Sequence, residues 1–428
     1  MYDLKARPLG HFDVAVCGGG VAGVGAAVAA ARNGASVVLI EKSGALGGML
    51  TTGLIPNIMD CANKGGLVRE LLDFLNDHQM TCSRLGKKAD ENGNRIPGCI
   101  IDSEGAKYFL EKACTDAGVT LLYHSMLSAV DHIDGHIHSI LLTTYCGNYS
   151  LSADIYIDAT GYGSLADLTG LEWECGDPAE GRPNPASMSI MLGGLPADYD
   201  GTDSVEDKNR YATMLLENGI DISAQQATLV KLPSLQTWSM GFNFEYDVMP
   251  DDIHRLSDAI LSGRKEAFHV VEGHKKISGY EKVYNAGSAD YFGTREGRRV
   301  FGAYRLKNED ISEGRKFADG ICLVTAAVDV HKLKSDDTTE TQRGVYAKAY
   351  HIPFRCLVPL GSDNMLLAGR CLSGDFYPFA SYRMMGNMMT VGEAAGFAAA
   401  MCAKEKTFPA AFDGTRASAY IRSLGHEL

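Results

Sequence analysis

The sequence predicts an α/β protein: a Rossmann-like dinucleotide-binding domain, discontinuous in the chain, with an inserted α+β domain for substrate. Three observations predict it. An apolar strand runs straight into Gly18-Gly19-Gly20-Val21-Ala22-Gly23 and an alanine-rich helix. A second apolar strand then ends on Glu41. Far downstream, two more apolar strands end in small-residue turns, at Ala159-Thr160-Gly161 and at Gly369-Arg370.

Taken in order, Val14 to Cys17 reads as a buried strand and Val21 to Arg32 as a helix closed by Asn33-Gly34, a common C-terminal stop. Ser36 to Ile40 reads as the next buried strand. Together they make a β-α-β unit of the length a parallel sheet requires. Residues 53–99 read as an excursion, with an amphipathic helix from Leu67 to Asn76 and a polar loop from Gly86 to Gly98. Glu104 to Ala117 is expected as a helix, Val119 to Tyr123 as a strand, and 127–151 as a β-meander turning at Asp134-Gly135. Asp154 to Ala159 reads as a separate buried strand. Asp177 to Pro185, rich in Pro, Gly and charge, suits a domain boundary. The expected division is a nucleotide domain over 10–175, a substrate domain over 176–344 and a returning nucleotide segment over 345–428. The last helix is expected from Gly386 to Ala403.

Composition narrows the function. With 428 residues and 45% hydrophobic content the chain can bury two cores. A formal charge of −13 disfavours binding along a nucleic-acid backbone. No apolar stretch reaches the length of a membrane span, and residues 1–13 are polar, unlike a secretory leader. The eleven cysteines are scattered without a C-x-x-C pair, which points to reduced thiols in a cytoplasmic protein and to no metal site. A homo-oligomer is compatible with all of this.

The first glycine turn carries the clearest chemistry. Gly18 permits the tight turn, Gly20 lets backbone approach a pyrophosphate, and Gly23 lets helix and strand pack closely. Val21 and Ala22 open the helix, whose N-terminal N–H groups and dipole favour phosphate. Glu41 lies 18 positions after Gly23, where a carboxylate accepts from a ribose hydroxyl and repels a 2′-phosphate. The site therefore favours FAD or NAD over NADP.

Two further stretches bear a family resemblance. Glu41-Lys42 with Leu46-Gly47-Gly48-Met49-Leu50-Thr51 resembles the segment of glutathione-reductase-type flavoproteins that passes under the flavin end of FAD. Asp158-Ala159-Thr160-Gly161-Tyr162-Gly163, about 140 residues after the first motif, is similar to the A-T-G signature of that group. Asn364 to Arg370, followed by Gly386 through Ala400, resembles the closing FAD motif, whose helix N-terminus faces the flavin pyrimidine. Nearly end to end, the chain resembles the FAD-dependent oxidoreductase family, and at the N-terminal motif the FAD portion of heterodisulfide reductase. The resemblance includes Gly293 to Arg299, Asp329-Val330-His331 and Ile352 to Arg355. It implies FAD as cofactor, held by Gly18, Gly20, Val21, Ala22, Gly23, Glu41, Lys42, Gly47, Gly48, Met49, Leu50, Leu127, Ala159, Thr160, Gly161, Gly369, Arg370, Gly386, Asn387 and Met388. Relatives often carry histidines after the Gly-Arg pair; here Phe376 and Phe379 stand there, which removes a histidine link to flavin at those positions.

FAD carries hydride chemistry, and the protein must manage a proton beside it. His331 is a candidate for that proton, its ordinary pKa lying near neutrality; the competing reading is a residue that orders a domain boundary. Arg295 is a candidate for a forked bond to a substrate carboxylate or carbonyl, against an ion pair with Glu296 or Glu309. Tyr382 and Arg383, just before the closing helix, are candidates to donate to substrate or reduced flavin. Phe376, Tyr377 and Phe379 read either as an aromatic wall or as core. The expected activity is hydride transfer between a small organic substrate and non-covalent FAD. The rivals are a flavoprotein that uses FAD structurally, or without net redox in a binding or RNA-modifying role, and an NAD-linked enzyme. No second glycine-rich phosphate loop appears, so the electron partner is left open.

Overall fold

The computed structural model describes residues 5–84, 98–202, 204–224, 226–233, 236–335 and 344–428. The polar loop expected from Gly86 lies outside the described residues up to residue 97.

A seven-stranded sheet organises the chain. Its strands are β1 (Arg7–Cys17), β2 (Val37–Ile40), β3 (Thr120–Leu122), β4 (Ser125–Ile133), β5 (His136–Thr144), β6 (Gly147–Asp158) and, much later, β11 (Met365–Leu367). The parallel part runs β3-β2-β1-β6-β11, and β4 and β5 form an antiparallel flap on the first half of β6. The strand expected from Asp154 is thus the second half of the meander's last strand. One long strand satisfies both neighbours: residues 149–158 pair with β1, and residues 156–158 also with β11.

Register decides where the motifs meet. Cys17 pairs with both Ile40 and Asp158, and Asp158 pairs with Leu367. The turns that follow these four residues therefore leave the same carboxyl edge of the sheet. Because β1 has β2 on one side and β6 on the other, this edge holds the switch point where open α/β sheets bind ligands.

Helix α1 (Val21–Arg32) covers the sheet and packs along α6 (Met385–Glu405). The contact is backbone on backbone. A methyl at Gly392 would lie 2.0 Å from Ala22 O, one at Gly396 2.0 Å from Ala26 O, and one at Gly25 2.5 Å from Met389 O. Only hydrogen fits at these three places, so the spacing of small residues sets how close the helices come. Helices α2 (Gly66–Asp77) and α3 (Ser103–Asp116) complete this layer. Short strands Asn57–Ile58, Thr81–Arg84 and Gly98–Ile101 form a separate three-stranded piece in the excursion.

A second, antiparallel sheet consists of β7 (Ser189–Gly193), β8 (Thr228–Lys231), β9 (Thr237–Gly241) and β10 (Tyr284–Ser288), in the order β8-β9-β7-β10. Helices α4 (Val205–Glu217) and α5 (Ile253–His274) cover it over a core of Ile190, Leu192, Trp238, Met240 and Val270. Val300, Leu306, Ile321, Cys322, Val324 and Leu333 belong instead to the large core under the first sheet. Among the described residues, no helix is long and apolar enough to cross a membrane.

Candidate active site

The carboxyl edge of the first sheet opens into a cavity of about 1700 Å³. That exceeds the roughly 300–1,000 Å³ of an ordinary ligand cleft and leaves room for a dinucleotide and a second molecule.

Glycine turns build one end. Gly18 has φ +106°, and a methyl there would lie 2.5 Å from Ala159 O. Gly23 comes even closer, 1.8 Å from Gly18 O by the same measure, so it locks the turn from behind and does not line the cavity. At Gly20 the situation reverses: a methyl would meet nothing within 4 Å, and Gly20 lines the cavity. No side chain caps α1, so its first N–H groups, at Val21 and Ala22 on the cavity wall, are available to an anion. The 47–48 turn is tied across by Gly47 N–H donating to Gly19 O at 2.8 Å. Buried Glu41 accepts from Gly19 N at 2.7 Å and Ser43 N at 2.8 Å, and it is one of the residues lining the cavity. Its lone pairs exceed these two bonds, leaving capacity for a ribose hydroxyl.

Asp158, fully buried, shapes the third turn. It accepts from Thr160 N (3.0 Å), Thr160 Oγ1 (2.7 Å) and Ala166 N (3.0 Å). Burial raises its pKa, and these bonds pull in the opposite direction. Lys42, Met49, Leu50, Leu127, Ala159, Thr160, Gly161, Gly369, Arg370 and Met388 all reach the cavity, as do Gly18 and Gly48. The Lys42 ammonium lies 4.5 Å from the Tyr291 ring centre and 5.1 Å from that of Tyr162. Neither tyrosine was singled out from sequence; only Tyr162 had a signal, following the A-T-G turn.

Besides Gly23, two more residues expected against the cofactor stand behind the wall. A methyl at Gly386 would lie 2.5 Å from Asp60 O, and Gly386 N donates to Met59 O at 3.2 Å. Asn387 donates to Asp60 Oδ2 at 2.8 Å, and the same carboxylate accepts from Thr325 N (3.0 Å) and Ala326 N (3.1 Å). Asp60, which the sequence did not mark, is therefore the anchor that seats the start of α6 beside the 326–329 segment.

The other candidates divide. Tyr382 is fully buried and donates to Leu372 O at 3.2 Å, away from the cavity. Phe376–Tyr382 is a short buried helix, and Phe376 and Phe379 surround the Arg299 guanidinium at 5.8 and 5.6 Å. They are core, because Arg299, paired with Glu296 and Glu174, needs covering. Arg295, His331 and Arg383 reach the cavity together, joined by Asp329. Glu296 is committed to Arg299, so the ion pair considered for Arg295 does not form with it. Arg383 donates to Asp329 Oδ2 at 2.8 Å and to Asp329 O at 2.9 Å. His331 Nε2 lies 3.7 Å from Asp329 Oδ2, an electrostatic contact longer than a good hydrogen bond. Asp329 is open to the cavity but enclosed by protein behind. Burial would raise its pKa, yet His331, Arg383 and Arg295 hold it well below the carboxylate range. Burial pushes the His331 pKa below 6.5, the Arg295 charge adds to this, and Asp329 opposes it. At neutral pH the imidazole is therefore uncharged and able to accept a proton.

A switch-point cradle for a dinucleotide, sharing one cavity with a basic imidazole and two guanidiniums, defines a Rossmann-type nucleotide-cofactor protein. The chain belongs to the FAD-dependent oxidoreductase family, which it matches over residues 13–427. An uncharacterized protein in the nifH2 5′ region of Methanosarcina barkeri is 27% identical over 169 residues, 37% of this chain and 87% of that one. The solved p-nitrophenol 4-monooxygenase of Pseudomonas putida is similar in fold, with TM-score 0.50 and 12% identity over 96% of this chain and 84% of that one. A geranylgeranyl bacteriochlorophyll reductase-like protein of Thermoplasma acidophilum gives 0.48 and 12% over 97% and 83%. The cofactor is FAD, and the site fits it: open space before an uncapped helix suits the pyrophosphate, and Glu41 suits the ribose.

Proposed function

We propose that this FAD-dependent oxidoreductase transfers a hydride between a small organic substrate and non-covalently held FAD, with His331 as the proton acceptor or donor. The carrying observation is that neutral His331 and the glycine turns open on one cavity. FAD, when bound, supplies the two-electron chemistry. The chain's part is then to bind, orient and move a proton. A substrate that gives up hydride from carbon must also lose a proton from its hydroxyl or from the adjacent carbon, and His331 is a base for that proton whose conjugate acid faces Asp329 at 3.7 Å. That arrangement stabilises the imidazolium as it forms. Arg383, just after the Phe376–Tyr382 helix and two residues before α6, holds Asp329 in place. Ala326, Ala327, Val328 and Met384 contribute apolar walls, which limit water around the reacting atoms.

The test is an anaerobic screen of the purified FAD-loaded protein against sugars, polyols, hydroxy acids and ring ketones or alkenes. The expected result is bleaching of the oxidised flavin by at least one donor, or re-oxidation of the chemically reduced protein by one acceptor. A protein inert in both directions across the panel would overturn the reading.

A further inference from the structure

Arg295 shares its nearest anion, Asp329, with Arg383. Its guanidinium lies 5.1 Å from the Phe244 ring centre and donates to Pro185 O. Among the described residues, no carboxylate pairs with it. Beside it, Arg383 spends one terminal nitrogen on Asp329, while its buried Nε has no partner. Arg295 and Arg383 face the single carboxylate of Asp329 with His331 neutral, and Arg370 beside Arg383 adds its charge, so this part of the cavity wall is net positive. Burial and the Arg383 charge push the Arg295 pKa down to about 10 against the opposing pull of Asp329, so the shared carboxylate does not offset the loss of water. Keeping such a charge desolvated is costly unless a ligand completes it.

We propose that this corner binds the substrate through a carboxylate, held by Arg295 and by the Nε side of Arg383, with the His331 ring and the apolar Ala326, Ala327 and Val328 wall beside the rest of the molecule. The proposal rests on the reading that this cavity is the substrate site. Phe244 stands outside the cavity lining and contacts both the Arg295 guanidinium and the His331 ring, the latter edge to face at 5.2 Å, so it fixes where these two groups present themselves. A guanidinium fork recognises carboxylate and phosphate alike. The apolar Ala326, Ala327 and Val328 wall beside the guanidiniums suits an organic body, which favours a carboxylate carried on one over free phosphate.

The experiment titrates the FAD-loaded protein with benzoate, phenylacetate, benzamide and inorganic phosphate, following the visible flavin spectrum. The carboxylates are expected to perturb it with Kd at least about tenfold below that of benzamide and of phosphate. In Arg295→Gln, carboxylate binding should weaken by more than about tenfold while FAD content stays at wild-type level, with Arg295→Lys intermediate. Equal binding of acid and amide, no perturbation up to about 10 mM, tighter phosphate binding, or loss of FAD from Arg295→Gln would each overturn the assignment. The comparison of acid with amide needs only wild-type protein, so a variant that misfolds does not block the test. Carboxylates that bind while nothing bleaches or re-oxidises the flavin would leave this inference standing and remove the redox reading; bleaching by uncharged donors alone would do the reverse.

Discussion

Gly20→Ala separates the folding role of the glycine turn from its ligand role. Gly20 has φ −66° and ψ 177°, which alanine adopts without strain. The added methyl meets no protein atom within 4 Å. The substitution should leave the stability of the FAD-free protein unchanged or raise it by about 0.4–1 kcal/mol, through the lower entropy of the unfolded chain. The same methyl points into open space on the cavity wall, where the pyrophosphate meets the N-terminus of α1. Pushing the phosphate back removes one charge-assisted hydrogen bond, about 1.5–3 kcal/mol, so the Kd for FAD should rise roughly 10- to 150-fold. Gly18→Ala is the contrast, since its methyl would lie 2.5 Å from Ala159 O at φ +106°. It should destabilise the FAD-free protein by about 2 kcal/mol or more. Urea unfolding of the FAD-free forms and fluorescence titration with FAD measure the two quantities. A Gly20→Ala variant that binds FAD within about twofold of wild type, or unfolds as easily as Gly18→Ala, would refute the reasoning.

Further outcomes follow from the titrating groups. Because burial and Arg295 lower the His331 pKa from 6.5, kcat/KM for an oxidised substrate should hold through neutrality and fall only as pH drops below 6.5. His331→Gln should abolish that acid limb and cut kcat about 10²–10⁴-fold with FAD retained; a pH profile unchanged from wild type would remove His331 from the mechanism. His351, remote from the cavity, is pushed down to about 4 by burial and by Lys316. Its folded pKa lies below the unfolded value of 6.5, so the native state binds fewer protons. The stability it contributes is present above pH 6.5 and is lost as pH falls towards 4, with a slope below about 1.4 kcal/mol per pH unit because solvent is near. Urea midpoints at pH 7 and pH 4.5 should differ less in His351→Gln than in wild type.

Much of the fold and of the cofactor cradle was readable from contiguous residues. The first unit, Val14 to Glu41, is a local pattern: apolar runs, glycines at fixed spacing and a small-residue helix determine strand, turn and helix without reference to the rest of the chain. The small residues of α6 likewise announced close packing. Legibility failed where a side chain's direction depends on distant partners. Gly386 and Asn387 sit in the expected motif, but the Met59–Asp60 turn draws them behind the wall. Tyr382 and Arg383 are adjacent in sequence, yet one is turned into the core towards Leu372 and the other towards Asp329.

By itself the sequence determined the dinucleotide unit, because a phosphate-binding turn is specified by residues within one hydrogen-bonded loop, while FAD and the family entered through the resemblance of several separated motifs. Only the tertiary structure decided that Arg295, Asp329, His331 and Arg383 share one wall while Glu296 serves Arg299. The physical reason is that charge pairing is settled by which buried partners come within a few ångströms. That distance is fixed by the packing of segments far apart in the chain, not by spacing along it.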